Sequence, residues 1–190
     1  IAFLKSAPSL EFLPEPTVNE VAFAGRSNVG KSSLLNALTN RSSLARTSNT
    51  PGRTQEINYF TLGDNRYLVD LPGYGYAEAP VAVVKKWQAL LKQFLQGRVT
   101  LRRAFVLIDT RHGVKAVDEE ILSLLDKAAV TFQVVMTKAD KVNQATREAN
   151  IAQTMAALQK HPAAYPEIVV TSSEKGDGVE TLRAIIATLE

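Results

Sequence analysis

Gly25-Arg26-Ser27-Asn28-Val29-Gly30-Lys31-Ser32 follows the apolar run Val21–Ala24 and leads into Ser33-Leu34-Leu35-Asn36-Ala37-Leu38. Strand, glycine-bounded loop and helix start therefore come in that order, the context a phosphate-cradling G-x-x-x-x-G-K-S loop requires. Average residue frequencies would produce the eight-residue pattern by chance in on the order of one chain in a hundred of this length. The strand and helix around it make chance rarer still. Glycines let backbone N–H groups curl around phosphate oxygens, and the helix N-terminus adds the positive end of its dipole. Lys31 would reach the β and γ phosphates, and the Ser32 hydroxyl could ligate Mg²⁺.

Working outward, apolar strand-like runs alternate with helix-period segments. The runs are Val21–Ala24, Ile57–Leu62, Tyr67–Leu71, Ala104–Ile108, Phe132–Met136 and Ile168–Thr171. Helices are expected from Lys31, from Pro80, near Val117–Ala129, near Gln144–Leu158 and from Val179. Such alternation predicts an α/β fold, an open and mostly parallel sheet with helices on both faces. Gly63-Asp64-Asn65-Arg66 leaves room only for a hairpin between its flanking strands, so one strand must run antiparallel. The expectation is a mixed six-stranded sheet in a single domain over residues 21–190. Residues 1–20, with Pro8, Pro14 and Pro16, read as an extended lead-in. Residues 40–56 have no period, and a loop of that length in a compact domain is usually functional.

Composition narrows the class. The 190 residues are 45% hydrophobic and 22% charged, which suits a packed globular domain and excludes a disordered chain. Zero cysteines exclude disulfides and thiolate chemistry and suit a reducing cytoplasm. The longest apolar run, about five residues at Ala104–Ile108, is far short of the roughly 20 that span a bilayer, so no membrane association is expected. The opening segment has no apolar stretch of signal-peptide length, and Ile1 in place of a start methionine reads as a trimmed end. Net charge is +3, but it is uneven. Residues 1–103 carry 13 Lys and Arg against 7 Asp and Glu, while residues 104–190 carry 9 against 12. A basic half weakly favours a polyanionic partner, nucleic acid first.

Three further motifs follow the phosphate loop. Asp70-Leu71-Pro72-Gly73 ends a strand, which would let Asp70 hold Mg²⁺ through a water and turn the Gly73 N–H toward the γ-phosphate. Thr137-Lys138-Ala139-Asp140 also ends a strand and resembles the guanine-reading N-K-x-D pattern. Asp140 can accept both hydrogens on the N1/N2 edge of guanine, a pair adenine lacks. Thr in place of Asn is expected to lose a loop-tying amide while keeping the specificity acceptor. Thr171-Ser172-Ser173 closes the series and can place a backbone N–H on the guanine O6.

Taken together, G-R-S-N-V-G-K-S-S, T-P-G-R-T-Q at Thr50–Gln55, D-L-P-G-Y-G-Y-A at Asp70–Ala77 and T-K-A-D resemble the EngB (YihA-like) family of bacterial GTP-binding proteins. That family lies among the translation-factor-related P-loop GTPases, and the resemblance covers essentially the whole chain. It implies a Ras-like three-layer fold and GTP hydrolysis to GDP and phosphate. It also implies a nucleotide-dependent role in assembly of the large ribosomal subunit, with effects on cell division and septation. Nucleotide-binding positions carried over are Gly25 to Ser33, Gly52, Arg53, Thr54, Gln55 and Glu56, Asp70 to Gly73, Thr137 to Asp140, and Thr171 to Ser173. Lys31, Thr54 and Gly73 are the catalytic candidates, and Ser32, Thr54 and Asp70 the Mg²⁺ candidates. Two switches, around Thr54 and over Pro72–Pro80, would order with GTP and relax with GDP. Tyr74 stands where Ras-like enzymes place a water-orienting glutamine, so intrinsic hydrolysis should be slow. Asn28 resembles the asparagine that holds K⁺ in cation-activated relatives.

The expected partners are GTP or GDP and the large subunit or its precursor rRNA, met by a monomer. A non-catalytic GTP/GDP scaffold and an ATP-dependent P-loop enzyme are the alternatives, and Asp140 argues against the second. Arg41, Arg46, Arg53, Lys85, Lys86, Lys92, Arg98, Arg102 and Arg103 are the candidate RNA contacts. His112 and His161 sit in loop-like settings with no acidic partner evident in sequence and receive no role. Trp87 lies on an apolar helix stripe and reads as core.

Overall fold

The computed structural model describes residues 1–44, 56–75 and 78–190. In chain order, β1 is Ala2–Ala7, β2 Asn19–Gly25, α1 Lys31–Thr39, β3 Ile57–Thr61 and β4 Arg66–Asp70. Then come α2 Val81–Gly97, β5 Leu101–Asp109, α3 Ala116–Lys127, β6 Phe132–Thr137, α4 Gln144–Leu158, β7 Val169–Val170 and α5 Val179–Thr188. Leu10–Phe12 and Ala139–Lys141 are single 3₁₀ turns. No helix among the described residues is long and apolar enough to cross a membrane.

Sheet order is β1-β3-β4-β2-β5-β6-β7. β4, β2, β5, β6 and β7 pair in parallel, and β3 runs antiparallel to both β4 and β1. One strand is reversed, as the four-residue hairpin demands. Among the described residues the sheet has seven strands, one more than the sequence reading, because the lead-in supplies an edge strand. β1 pairs from Ala2↔Thr61 to Ala7↔Ile57, with a bulge between Phe3 and Lys5. The bulge breaks the two-residue alternation that would have marked a strand, and such irregularity suits an exposed edge.

Alternation sorts the core into two halves. Along β5, Val106 and Ile108 face a layer containing Trp87, Phe94, Ile121, Leu125 and Leu158 of α2, α3 and α4. Phe105 and Leu107 face Leu34, Leu35, Leu182 and Ile186 of α1 and α5. That is a helix–sheet–helix sandwich, and the buried Trp87 belongs to it. Because the inner strands are parallel, Gly25, Asp70, Asp109, Thr137 and Val170 all end at one edge of the sheet, where such folds build their sites.

At the opposite edge, Glu20 is fully buried and pairs with Arg98 Nε at 2.5 Å. Thr100 donates to the same carboxylate, and Arg98 also donates to Pro14 O at 2.8 Å, tying the lead-in to the end of α2. Removing one partner of such a buried pair costs about 3 to 5 kcal/mol. Arg98 is therefore engaged inside the fold. Arg103 is too, bonded to Gln133 Oε1 at 3.0 Å and stacked 4.2 Å from the Tyr165 ring centre. Neither serves as a free cation for RNA, which corrects the sequence reading of both.

His161 is likewise corrected. It is 8% exposed and sits between two acids, with Nδ1 2.5 Å from Asp126 Oδ2 and Nε2 2.6 Å from Glu119 Oε2. The contacts tie α3 to the segment after α4 across 35 and 42 residues, distances that local pattern cannot register. Burial opposes the charged ring, but the two carboxylates outweigh it and raise His161 above the ordinary imidazole value. A raised folded-state value contributes stability fully below about pH 6.5 and loses it as pH climbs through that raised value. His161→Gln should therefore be destabilised most in mild acid, with the gap to wild type narrowing as pH rises into the alkaline range. Urea midpoints measured across that range check it; a gap independent of pH would rule out a charged ring.

Candidate nucleotide-binding site

A loop that aims N–H groups inward must satisfy its outward carbonyls elsewhere. Here Gly25 O accepts from Tyr74 N at 3.1 Å, Arg26 O from Val29 N at 3.1 Å and Gly30 O from Leu34 N at 3.0 Å. Asn28 O accepts from Lys138 Nζ at 2.7 Å, and Val29 O from Thr137 Oγ1 at 2.6 Å. Asn28 and Gly30 take left-handed conformations, φ +66° and +98°, which curl the chain into the first turn of α1. At Gly25 a Cβ would lie 2.6 Å from Val29 Cγ1, so glycine is required by close approach. The first turn of α1, with Lys31, Ser32 and Ser33, leaves its N–H groups without intrahelical partners.

Lys31 reaches across to the end of β4. Its Nζ donates to the Asp70 carboxylate and to Leu71 O at 2.7 Å. Leu71 N in turn donates to Phe23 O at 3.0 Å, which holds the Asp70–Gly73 segment beside β2. Pro72 is buried, and Gly73 lies close to the loop, its added Cβ 3.5 Å from Ser27 Oγ. The lysine, the carboxylate and the Gly73 segment converge on one spot.

Thr137 and Lys138 do more than the sequence reading allowed. The Thr137 hydroxyl ties the phosphate loop directly through Val29 O, so replacing Asn by Thr keeps a loop tie by another donor. Lys138 adopts φ +57°, the left-handed conformation that starts the Ala139–Lys141 turn. Ala139 N donates to Thr171 O at 3.1 Å and Thr171 N to Met136 O at 2.7 Å, stitching the loops after β6 and β7 together. Asp140 accepts from Ser172 Oγ at 2.8 Å, and that bond holds its carboxyl below the usual carboxylate range. A cavity of about 620 Å³ opens between these loops and α1, bordered by Gly30, Ser33, Thr137, Lys138, Asp140 and Ser173.

Two neighbours were missed from sequence. Asp109, 2% exposed at the end of β5, forks with Arg111 at 2.8 Å and lies 3.8 Å from Lys138 Nζ. Burial raises its carboxyl, but Arg111 outweighs that and holds it below the ordinary range. The other is Asp118, which accepts the Tyr74 hydroxyl at 2.8 Å. Motif reading has no signal for Asp118, whose partner Tyr74 lies 44 residues away, and Asp109 with Arg111 two residues on matches no motif read from the sequence. Of the remaining predicted positions, Glu56 is half-buried just before β3, while Gly52, Arg53, Thr54 and Gln55 lie outside the described residues, as do Arg46 and Ala77.

The profile of the family described as 50S ribosome-binding GTPase matches residues 20–138, and that of the elongation factor Tu GTP-binding domain matches residues 91–190. A probable GTP-binding protein EngB from Cereibacter sphaeroides is 73% identical over 187 residues, covering 98% of this chain and 86% of that protein. Among solved structures, a probable GTP-binding protein EngB superposes with TM-score 0.69 at 24% identity, covering 88% of this chain and 96% of that one. Era bound to MgGDPNP and a 16S ribosomal RNA segment superposes with TM-score 0.66 at 26% identity, covering 92% and 57%. With Gly30 and Ser33 meeting the loops after β6 and β7 at one cavity, and with the likeness to the Cereibacter sphaeroides protein over nearly the whole chain, the chain belongs to the EngB family of GTP-binding P-loop GTPases.

Proposed function

We propose that this GTPase acts as a slow, guanine-specific switch in assembly of the large ribosomal subunit. The observation that carries the base choice is Asp140, held by Ser172 on the rim of the cavity that also contains Gly30 and Ser33. In this reading the loop N–H groups and Lys31 bind the phosphates, Gly73 N–H meets the γ-phosphate, and the N–H groups of Thr171 to Ser173 serve the guanine O6. Mg²⁺ fits the donor chemistry, since the Ser32 hydroxyl and the Asp70 carboxylate are hard oxygens at adjacent element ends. Held by them and by Thr54, the ion would supply charge against the transferring phosphoryl group. For Lys31 to reach phosphate it must leave Asp70, which frees the carboxylate at the same moment.

Slow turnover is supported by Tyr74. Its side chain is 3% exposed and committed to Asp118, so it does not orient an attacking water from that position. Asn28 is exposed and its carbonyl is taken by Lys138, leaving its side-chain amide oxygen as the K⁺ ligand we propose. The ribosomal reading is supported by the matched profile's description, by the RNA-bound Era structure and by charge. Arg41, Lys85, Lys86, Lys92 and Arg102 are exposed. We further propose that the protein works as a cytoplasmic monomer and that its loss disturbs cell division.

Three outcomes are expected. GTP should bind and ATP should not, and Asp140→Asn should weaken GTP by more than about 100-fold while improving xanthine nucleotides, because two hydrogen bonds to a charged group are lost. Competition titrations with the three nucleotides check this; tight ATP binding would refute the base assignment. Turnover should be faster in KCl than in NaCl, and Asn28→Ala should erase the difference. Equal rates in both salts remove K⁺ from the mechanism.

The third outcome concerns the ribosome. Large subunits should pellet more protein with a non-hydrolysable GTP analogue than with GDP. If roughly four phosphates are neutralised, affinity should fall about 600-fold per tenfold rise in salt, at a slope near 0.7 each. Co-sedimentation across a salt series reads both quantities. Pelleting that ignores salt and nucleotide would sink the ribosomal switch and leave the nucleotide site standing.

A further inference from the structure

Gly73 to Gly75 are held from two sides. On one side the backbone is bridged to the phosphate loop, Ser27 N donating to Tyr74 O at 2.8 Å and Tyr74 N donating to Gly25 O at 3.1 Å. On the other, the Tyr74 ring is buried 5.9 Å from the ring of Trp87, and its hydroxyl donates to Asp118 Oδ1.

Asp118 itself is 1% exposed. Its Oδ2 accepts from Lys115 N at 2.8 Å, closing the first turn of α3. One oxygen is enough for that cap, and a cap does not need burial. The second oxygen goes to the residue after Gly73, and the cation nearest it, Arg26 Nε at 3.9 Å, comes from the phosphate loop. Burial pushes the Asp118 carboxyl up, a cost that its three partners offset only in part. The fit around the carboxylate is close: at Gly75, φ +71°, an added Cβ would sit 3.3 Å from Val117 and 3.6 Å from the Arg26 side chain. Phosphate loop, Gly73 segment and α3 thus meet at a single buried carboxylate.

We propose that Asp118 is a positioning residue, which through Tyr74 fixes the Gly73 amide against the phosphate loop where a third phosphate is received. The inference rests on the GTP reading above. Its consequence is selective. A triphosphate uses the Gly73 amide and a diphosphate does not, so loosening the latch penalises GTP alone.

Tyr74→Phe removes only the hydroxyl and leaves the ring packed against Trp87. Asp118→Asn keeps one acceptor and removes the charge, and the double variant completes a cycle. Dissociation constants for a non-hydrolysable GTP analogue and for GDP are measured on each, with thermal melting alongside. The analogue should weaken about tenfold in Tyr74→Phe, as loss of one hydrogen bond to a charged group predicts, with GDP within about twofold. The double variant should be no worse than the more damaged single one, because the two side chains act as one unit. A lower melting temperature with both affinities unchanged, or with both weakened equally, overturns the inference and reduces the pair to a structural role. Wild-type protein that binds neither guanine nucleotide overturns the GTP reading, and this inference with it.

Discussion

The satisfaction of carbonyl groups around residues 25–30 is the constraint on which the rest of the structure turns. A chain that bends to present its N–H groups to an anion exposes its carbonyls on the outside of the bend, and in a partly buried loop each orphan would cost about 1 to 3 kcal/mol. The partners come from three places: the loop and helix themselves, the segment after β4, and the end of β6. Each is correctly placed only if the parallel strands are in register, since β2, β4 and β6 deliver them. The sheet is thus a device for bringing distant donors to one bend, and the stability of the loop is a property of the whole domain.

The same geometry explains why the loop after β6 and the phosphate loop are not independent. Lys138 holds Asn28 O, Thr137 holds Val29 O, and Asp140 follows two residues later on the rim of the cavity. Arg111 neutralises Asp109, which would otherwise compete with Asn28 for the Lys138 ammonium. A change in the Thr137–Asp140 segment would be felt at the phosphate loop through two short hydrogen bonds.

Much of this was legible in advance, for identifiable reasons. Helices with strong 3.6-residue stripes, such as Val81–Gly97, and the continuous apolar runs of β5 and β6 carry their periods openly. The phosphate loop and Asp140 are legible because their chemistry needs particular residue types at fixed spacing. β1 was not, because a bulge and an exposed edge erase its alternation. Nor was the tie from Thr137, since a hydroxyl can replace an amide only when the acceptor lies within reach. Tyr74 with Asp118, and His161 with its two acids, join positions 35 to 44 residues apart, and only the packed chain reveals them.

Arginines placed against helix ends set a timetable for the molecule's own synthesis. Arg183 of α5 donates to Ala37 O and Leu38 O at the end of α1, and Arg66 at the start of β4 donates to Ile186 O and Leu189 O at the end of α5. Cations suit the negative ends of helices, so these contacts contribute to closing α1, α5 and the hairpin into one layer. They span 120 to 146 residues. A chain emerging N-terminus first at about 5 to 20 residues per second cannot form them until α5 has been made. The phosphate loop at Gly25–Ser32 is synthesised well before the Thr171–Ser173 loop and before α5, which packs beside α1. The layer beside the phosphate loop therefore closes only once α5 has been made, however early the loop itself emerges.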